Sequence, residues 1–269
     1  MPTEILHHAG HVLFVSQSAN DIHAALCEAV ERAVNLSGAN LEGVDLSGSS
    51  LERARLDGAR LAGASLHHSN LEEASLRGAN LAKARLDGAN LEEANFEDAN
   101  LTGANLRGCN LEEADFVRAN LTDASVDGSN LEGANLSGAV LLRASFTRAN
   151  LERARMDGVK AEGAVFSCAN LEKTDLRTAD LRGADFAGAN LEKANLRGTC
   201  LVDAKLGGAN LEKADLREAD LTHADLAEAN LERCDLHNAR LEGARLDGAN
   251  LDGARGLTPA KPPQSGPYR

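Results

Sequence analysis

Three histidines near the start of the chain, His7, His8 and His11, have the side chains best suited to binding a metal ion. Imidazole nitrogens are common zinc ligands, but a zinc site usually needs three or four ligands in fixed geometry. No carboxylate or cysteine stands at a ligand spacing from these histidines. We therefore interpret them as part of a solvated terminus, and we expect no cofactor.

Five cysteines are scattered along the chain without paired spacing. Unpaired thiols in odd number are typical of a reducing compartment, so the sequence favours a cytoplasmic protein. A repeat described below places Cys109 and Cys234 in the interior, whereas Cys168 and Cys200 fall on turns or outward positions. Catalysis by an exposed cysteine would need a histidine partner in register, and the repeat supplies none.

The remaining composition argues against several classes of function. The chain has no glycine-rich phosphate loop and no nucleophile-base pair, so we expect no enzyme. There is no run of about 18 apolar residues and no basic leader before an apolar segment, so neither a membrane span nor a signal peptide is predicted. The formal net charge of −13 disfavours direct binding to nucleic-acid phosphates, which requires a basic surface.

A repeat of five residues runs through the chain from Val34 to Asn250. Each unit has a small residue, a polar residue and then an apolar residue, as in Ala39-Asn40-Leu41. The apolar position recurs 44 times without an insertion or deletion, and it is Leu in 36 units. A register kept over this length determines the fold before any local propensity is considered.

A period of five fits neither a straight helix nor a straight strand. Five helical steps of about 100° displace the leucines by roughly 140° around the axis, so they form no apolar stripe. In a strand, an odd step sends successive leucines to opposite faces. A chain that turns once per unit points every Leu to one interior, and the Asp-Gly pairs after many leucines are typical of such turns.

A second period, of twenty residues, gives the number of units in one coil. Glutamate follows the central Leu at every twentieth position from Glu52 to Glu232. Asparagine precedes the same Leu at each of these positions from Asn70 to Asn250. Four units per coil predict an all-β solenoid with four sides, and 44 units make about eleven coils.

These units resemble the A(D/N)LXX signature of the pentapeptide-repeat family over about four fifths of the chain. The resemblance implies a right-handed quadrilateral β-helix. It also implies that the central Leu or Phe and the small residue two positions before it both face the interior. The phenylalanines would then stack in columns, Phe96 on Phe116 and Phe146, Phe166 and Phe186 on one another.

The same resemblance suggests one specific partner. Family members related to the quinolone-resistance proteins act as acidic rods that resemble duplex DNA and engage DNA gyrase or topoisomerase IV. Those relatives dimerise through a C-terminal helical module, and many carry loops that project from the rod. We expect neither feature in this chain, so a homodimer would have to form in another way.

Three segments are predicted. Residues 1–33 lie outside the repeat and form an N-terminal cap, because the open end of a solenoid exposes unpaired strand edges. Residues 34–255 form the β-helix. Residues 256–269 form a Pro-rich tail that cannot continue the ladder and is predicted to be flexible.

The cap is predicted to contain one strand and one helix. The apolar run from Val12 to Val15 has strand character. Ser18 or Asn20 can then cap a helix with an apolar face that includes Leu26. We expect the strand to lie on the first coil and the helix to cover its open end.

One side of the solenoid carries the glutamate column and is the first candidate for partner binding. Rungs about 4.8 Å apart lie within the screening length of about 8 Å, so neighbouring carboxylates reinforce one field that attracts basic proteins. From Glu152 onward a Lys or Arg follows each glutamate up to Arg233. Four earlier coils hold seven carboxylates without a cation on that side: Glu72, Glu73, Glu92, Glu93, Glu112, Glu113 and Glu132. The alternative interpretation is ordinary solubilising surface.

Apolar residues at outward positions form the second candidate. Val140 and Leu142 stand on one side of the solenoid, with Cys200 and Val202 three coils later. An exposed apolar cluster on a polar rod predicts contact with a second copy or with another protein. The sequence thus favours a non-enzymatic protein-binding scaffold, with a topoisomerase modulator and a passive structural rod as alternatives.

Overall fold

The chain winds in coils of twenty residues in the computed structural model, which describes residues 2–257. Parallel bridges join the residue before each central Leu to its equivalent one coil later, from Asn35 with Arg55 to Asp235 with Arg255. Eleven coils follow one another in this register. The predicted four-sided solenoid is therefore confirmed.

Backbone hydrogen bonds hold each coil to the next and close each turn. The Leu71 N–H donates to the Asn90 carbonyl at 2.7 Å, in the next coil. The Ala74 N–H donates back to the Leu71 carbonyl at 3.0 Å and closes a turn of four residues. The third residue of that turn, Glu73, has a φ of 54°, in the left-handed region. The same bonds recur at each unit, so the pattern of five is a pattern of turns.

The interior consists of columns of Leu, Phe and small residues, which are almost completely buried. The ring centroids of Phe96 and Phe116 lie 4.8 Å apart, and Phe166 lies 5.2 Å from Phe146 and 4.9 Å from Phe186. The predicted inward stacks are confirmed. These spacings also match the separation of neighbouring strands, because each ring rests on its equivalent one coil away.

The cap contains a β-hairpin and a helix. Strand β1 (Thr3–Leu6) pairs antiparallel with β2 (Val12–Ser16), and helix α1 (Ile22–Glu31) follows. The sequence predicted β2 and α1 but missed β1, whose four residues have no clear apolar alternation. The predicted N-cap was also wrong. Asp21 caps α1, and its carboxylate accepts the Ala24 N–H at 2.8 Å.

Strand β1, rather than β2, joins the cap to the first coil. The Asn40 N–H donates to the Leu6 carbonyl, and the His8 N–H donates to the Gly38 carbonyl, both at 2.8 Å. The ring of His7 lies directly on Gly38, where an added Cβ would be 2.2 Å from the imidazole Nε2. Gly38 also has a φ of +72°, so a larger residue there would have to displace the His7 ring and adopt a strained backbone conformation.

Most of the predicted Pro-rich tail, residues 258–269, lies outside the described residues. Within residues 2–257, no helix has the length and apolar character needed to cross a bilayer.

Candidate interaction surfaces

The Glu face is the side of the solenoid that carries the column from Glu52 to Asp252 and the residue after each column member. The asparagines before the central leucines form a ladder along it, in which each side-chain amide donates to the side-chain oxygen of the Asn one coil earlier. These bonds measure 2.9 to 3.5 Å from Asn90 to Asn250. This ladder fixes the spacing of the glutamates beside it.

The acidic segment of the Glu face comprises the seven carboxylates predicted from the sequence, from Glu72 to Glu132. Cations from the flanking coils reach both of its ends, which the sequence analysis overlooked. Arg53, in the coil before the segment, pairs with Glu73 at 2.6 Å. Arg153, in the coil after it, pairs with Glu132 at 2.8 Å. The Arg53 hydrogen bond lowers the pKa of Glu73.

Five carboxylates of the acidic segment form no ion pair with any residue between 2 and 257: Glu72, Glu92, Glu93, Glu112 and Glu113. Three of them turn toward the Asn ladder instead. Glu72 accepts the side-chain amide of Asn90 at 3.0 Å. Glu92 and Glu112 accept the amides of the next two asparagines at 3.0 and 3.2 Å. Glu93 and Glu113 remain without such a partner, so the center of the segment carries uncompensated charge.

The compensated segment is the part of the Glu face from Glu152 to Arg233. There each lysine pairs with the glutamate of its own coil, and two lysines also reach the preceding coil, as Lys173 does with Glu172 at 2.7 Å and Glu152 at 3.4 Å. The hydrogen bond from Lys173 lowers the pKa of Glu172. In the compensated segment no asparagine amide donates to a glutamate carboxylate, and lysine and arginine side chains are the donors instead.

The two halves of the Glu face differ strongly in charge. Between residues 70 and 133 this face has seven carboxylates and no cation of its own, a net charge of −7. Between residues 150 and 253 it has six carboxylates and five cations, a net charge of −1. More than half of the formal charge of −13 is therefore concentrated on one side of four neighbouring coils.

The predicted apolar cluster is not a continuous exposed patch. Val140, Leu142, Cys200 and Val202 do point outward, but each is half-buried among its neighbours. Two charged coils separate the two pairs, with Lys160 and Asp180 in one column. In the other column Arg182 pairs with Asp180 at 2.7 Å and with Glu162 at 3.3 Å. The physical reason is that charged side chains fill the face between the pairs.

The exposed apolar side chains lie elsewhere. Among the described residues, the large hydrophobic side chains that are more than a third exposed are Leu6, Val12, Val15 and Leu257. Three of these belong to the cap hairpin. Sequence analysis missed them because it assigned the apolar run of β2 to packing on the first coil.

One serine on the outer surface lies between a carboxylate and an imidazole. The Ser47 hydroxyl donates to Asp45 at 2.5 Å and is 2.7 Å from Nδ1 of His67. The hydrogen bonds from Ser47 lower the pKa of Asp45. A serine nucleophile needs a carboxylate that orients its histidine, whereas Asp45 bonds the serine itself. This cluster therefore ties neighbouring coils together and does not activate a nucleophile.

The cysteines divide as predicted between interior and surface. Cys109 and Cys234 are buried, and burial raises the pKa of each thiol to about 12. Both thiols are therefore protonated and chemically inert near neutral pH. Cys168 is exposed and Cys200 is half-buried. Among the described residues, His, Cys, Asp and Glu side chains form no group suited to holding a metal ion.

Two depressions on the surface are lined by charged side chains, and several of these already have partners. One of about 360 Å³ lies between Arg177 and Arg197. Arg197 pairs with Glu218 at 2.8 Å across its rim, and Arg177 pairs with Asp175 at 2.6 Å. Another of about 350 Å³ lies between the end of α1 and the last unit of the first coil. Neither brings together groups that could act on a substrate.

Sequence comparison matches overlapping copies of the family described as pentapeptide repeats to residues 32–253. Comparison with curated protein sequences gives no match. The solved structures that are similar to this chain include HetL, a pentapeptide repeat protein involved in heterocyst differentiation regulation, from the cyanobacterium Nostoc sp. strain PCC 7120. It is 30% identical to this chain, with a TM-score of 0.55, and the alignment covers 86% of this chain and 95% of HetL.

Two further structures share the repeat. A trypsin-treated form of QnrB1, a plasmid-mediated fluoroquinolone resistance protein, is 22% identical over 64% of this chain and 88% of its own, with a TM-score of 0.43. A pentapeptide repeat protein of the Arabidopsis thaliana thylakoid lumen is 38% identical over 38% of this chain and 68% of its own, with a TM-score of 0.27. The family match and the extent of the HetL alignment show that this chain belongs to the pentapeptide repeat family and folds as a right-handed quadrilateral β-helix.

Proposed function

We propose that this protein is a non-enzymatic scaffold whose acidic segment binds a basic surface on another protein. The observation that carries the proposal is the set of five glutamates without ion pairs, on a face with a net charge of −7 over four coils. Charged residues elsewhere on the solenoid form many local pairs, so this segment is where an approaching cation gains most.

The geometry favours a protein partner with a rigid or extended row of Lys and Arg. The Asn ladder and the backbone bridges hold the glutamates at a fixed repeat, so little conformational entropy is lost when a partner binds. Because the field comes from one side of the rod, the partner would dock laterally along the coils. Direct binding of nucleic acid is disfavoured, since phosphates would meet the same negative field.

DNA gyrase or topoisomerase IV is the specific alternative that the family resemblance suggests. A rod that imitates duplex DNA needs negative charge along its length, whereas here the compensated segment has five carboxylates and five cations and therefore no net charge. We therefore expect no inhibition or protection of gyrase by the purified protein at micromolar concentration. Inhibition or protection in a supercoiling assay would instead establish a topoisomerase as the partner.

Affinity capture from the native cell, with charge-reversed variants, tests the proposal. In the first variant, four residues of the acidic segment, Glu92, Glu93, Glu112 and Glu113, are changed to Lys. In the matched variant, four residues of the compensated segment, Glu152, Glu172, Glu192 and Glu212, are changed to Lys. Both variants change the total charge by the same amount, but they place the change in different segments of the Glu face. A partner bound through the acidic segment should be captured by the wild type and the matched variant, and lost from the first variant.

The affinity for the captured partner should also fall steeply with added salt, because exposed charges are screened over about 8 Å at physiological ionic strength. Equal capture by both variants would reject the acidic segment as the binding site. If Leu142→Glu abolishes capture and the charge reversals do not, the partner binds the apolar residues around Leu142. If no partner is captured at any salt concentration, the passive rod is the better description.

A further inference from the structure

The cap hairpin exposes apolar side chains that the rest of the described solenoid avoids exposing. Leu6 is 41% exposed, Val12 is 46% exposed and Val15 is 36% exposed. In the coils, by contrast, the large apolar side chains are buried or half-buried as far as Leu251. Soluble proteins seldom cluster exposed hydrophobic residues in this way unless the surface contacts something.

The same hairpin has a free strand edge. Strand β1 lies between β2 and the first coil, which it joins through the Leu6 carbonyl and His7. Strand β2 pairs with β1, and within residues 2–257 no other segment pairs with it. Alternate backbone N–H and C=O groups of Val12–Ser16 therefore point away from the sheet, which makes β2 a template for an added strand.

The opposite face of the hairpin is held firmly against α1. Ile5 is completely buried, and the guanidinium of Arg32 lies 5.7 Å from the ring centroid of Phe14. Glu28 of α1 accepts hydrogen bonds from Ser16 and, at 2.9 Å, from Ser18. These bonds lower the pKa of Glu28, so it is ionised at neutral pH. The free edge is thus preformed, and a strand that adds to it would not first have to order the hairpin.

We propose that β2 pairs with β2 of a second copy of this chain, antiparallel and about a two-fold axis. The resulting sheet would have four strands, with a β1 at each outer edge. Antiparallel pairing centered on Phe14 places Leu13 opposite Val15 and Val12 opposite Ser16. The segment Val12–Ser16 contains no charged residue, so two copies can meet there without repulsion. A two-fold interface requires such a self-complementary surface.

Charge also favours a second copy at this end rather than along the rod. Two copies, each with a net charge of −13, repel one another wherever their sides approach. Residues 2–20, by contrast, contain a single carboxylate, Glu4. Because a pair of five-residue strands buries much less than the roughly 1,200 to 2,000 Å² of a stable interface, the dimer should be weak, with a dissociation constant in the micromolar range or above.

Sedimentation equilibrium of the full chain over roughly 1 to 500 µM, the range expected for so small an interface, tests this proposal. The wild type should shift from monomer to dimer as concentration rises. Val15→Lys should raise the dissociation constant at least about tenfold, because it places a charge in the new sheet. Val15 lies opposite Glu4 in β1, so the lysine gains a cross-strand partner and the hairpin should be retained. Val117→Lys, an outward valine in the coils, is the matched control and should leave the dimer unchanged.

A wild type that remains monomeric throughout this range would overturn the proposal. So would a dimer that persists in Val15→Lys, or one weakened equally by Val117→Lys. Hydrogen exchange gives a second measurement that does not depend on the variant folding. The backbone amides of β2 should exchange more slowly as the concentration of the wild type rises, and concentration-independent exchange would count against strand pairing.

Discussion

The acidic and compensated segments share the same fold and differ in one residue of each coil. Both have a buried Leu column, a continuous Asn ladder and a Glu after each Leu. The difference lies at the second residue after the Leu, which is Glu93 or Glu113 in one segment and Lys193 or Lys213 in the other. The backbone places this residue outside the core, at the turn. A solenoid can therefore change its surface charge along its length without changing its fold.

The neighbouring glutamates respond to that single difference. Beside Lys193, Glu192 forms an ion pair at 2.6 Å. Beside Glu93, Glu92 instead accepts the Asn110 side-chain amide. The carboxylate finds a donor in both cases, but only the second arrangement leaves the negative charge uncompensated and available to a partner.

Truncation of the core should produce the largest effect and should not distinguish the two segments. Leu111→Ala and Leu211→Ala each truncate a completely buried side chain that lies beneath the Glu face. Each should reduce the free energy of unfolding by about 2 to 5 kcal/mol through lost burial and a residual cavity. Urea unfolding followed by circular dichroism measures both variants.

The two losses should agree within about 0.5 kcal/mol, since the columns beneath the segments are alike. A clear difference would mean that the segments differ in packing as well as in surface charge, which would break the comparison.

Interruption of the Asn ladder should give the next largest effect and should begin to separate the segments. The Asn110 amide donates to Asn90 at 3.1 Å and to Glu92 at 3.0 Å, whereas the Asn210 amide donates to Asn190 alone, at 3.1 Å. Asn110→Ala and Asn210→Ala should each cost about 1 to 2 kcal/mol. Urea unfolding should show a larger loss for Asn110→Ala, because Glu92 also loses its donor. Equal losses would show that the amide bond to the glutamate contributes nothing.

The architecture was predictable because the repeat is visible in the sequence itself. A fixed period of five and a second period of twenty determined which residues face inward and how many coils form. The Phe stacks followed from the same register. The acidic segment was predicted as a column of residues, but its ion pairs at the ends were not. Arg53 belongs to the preceding coil, and the direction in which a long side chain bends is not encoded in the period.

Features without a period were harder to predict. Strand β1 has only four residues, and it is stabilised by pairing with β2 and the first coil rather than by its own pattern. The turns gave a second surprise. Asp-Gly pairs indicated the turns in the sequence, yet residues other than glycine occupy the same turn position elsewhere, and Glu73 and Lys173 adopt φ values of 54° and 58°. Left-handed geometry costs these residues roughly 1 to 2 kcal/mol each, which the bonds between coils must offset.

Exchange of the distinguishing residue should have a smaller effect on stability and a clear dependence on salt. Glu93→Lys with Glu113→Lys gives the acidic segment the cations of the compensated one, and should raise the melting temperature by about 1 °C. Lys193→Glu with Lys213→Glu should lower it by a similar amount. Differential scanning calorimetry should show both differences shrink at about 1 M salt, where screening extends only about 3 Å. Shifts that persist at high salt would indicate a cause other than charge.

The smallest expected effect concerns a single ion pair of the compensated segment. A hydrogen bond from Lys213, with Nζ 2.5 Å from Oε1, lowers the pKa of Glu212 below its ordinary value. Because the folded pKa is the lower one, the pair stabilises the protein fully above about pH 4.3 and loses this contribution as the pH falls through the folded value. In Lys213→Met the pKa of Glu212 should rise toward its ordinary value, which NMR titration of the side-chain carboxyl carbon measures directly. An unchanged pKa would mean that Arg233 and Lys193, rather than the adjacent lysine, set the charge environment of this segment, and that the comparison rests on the whole column of cations.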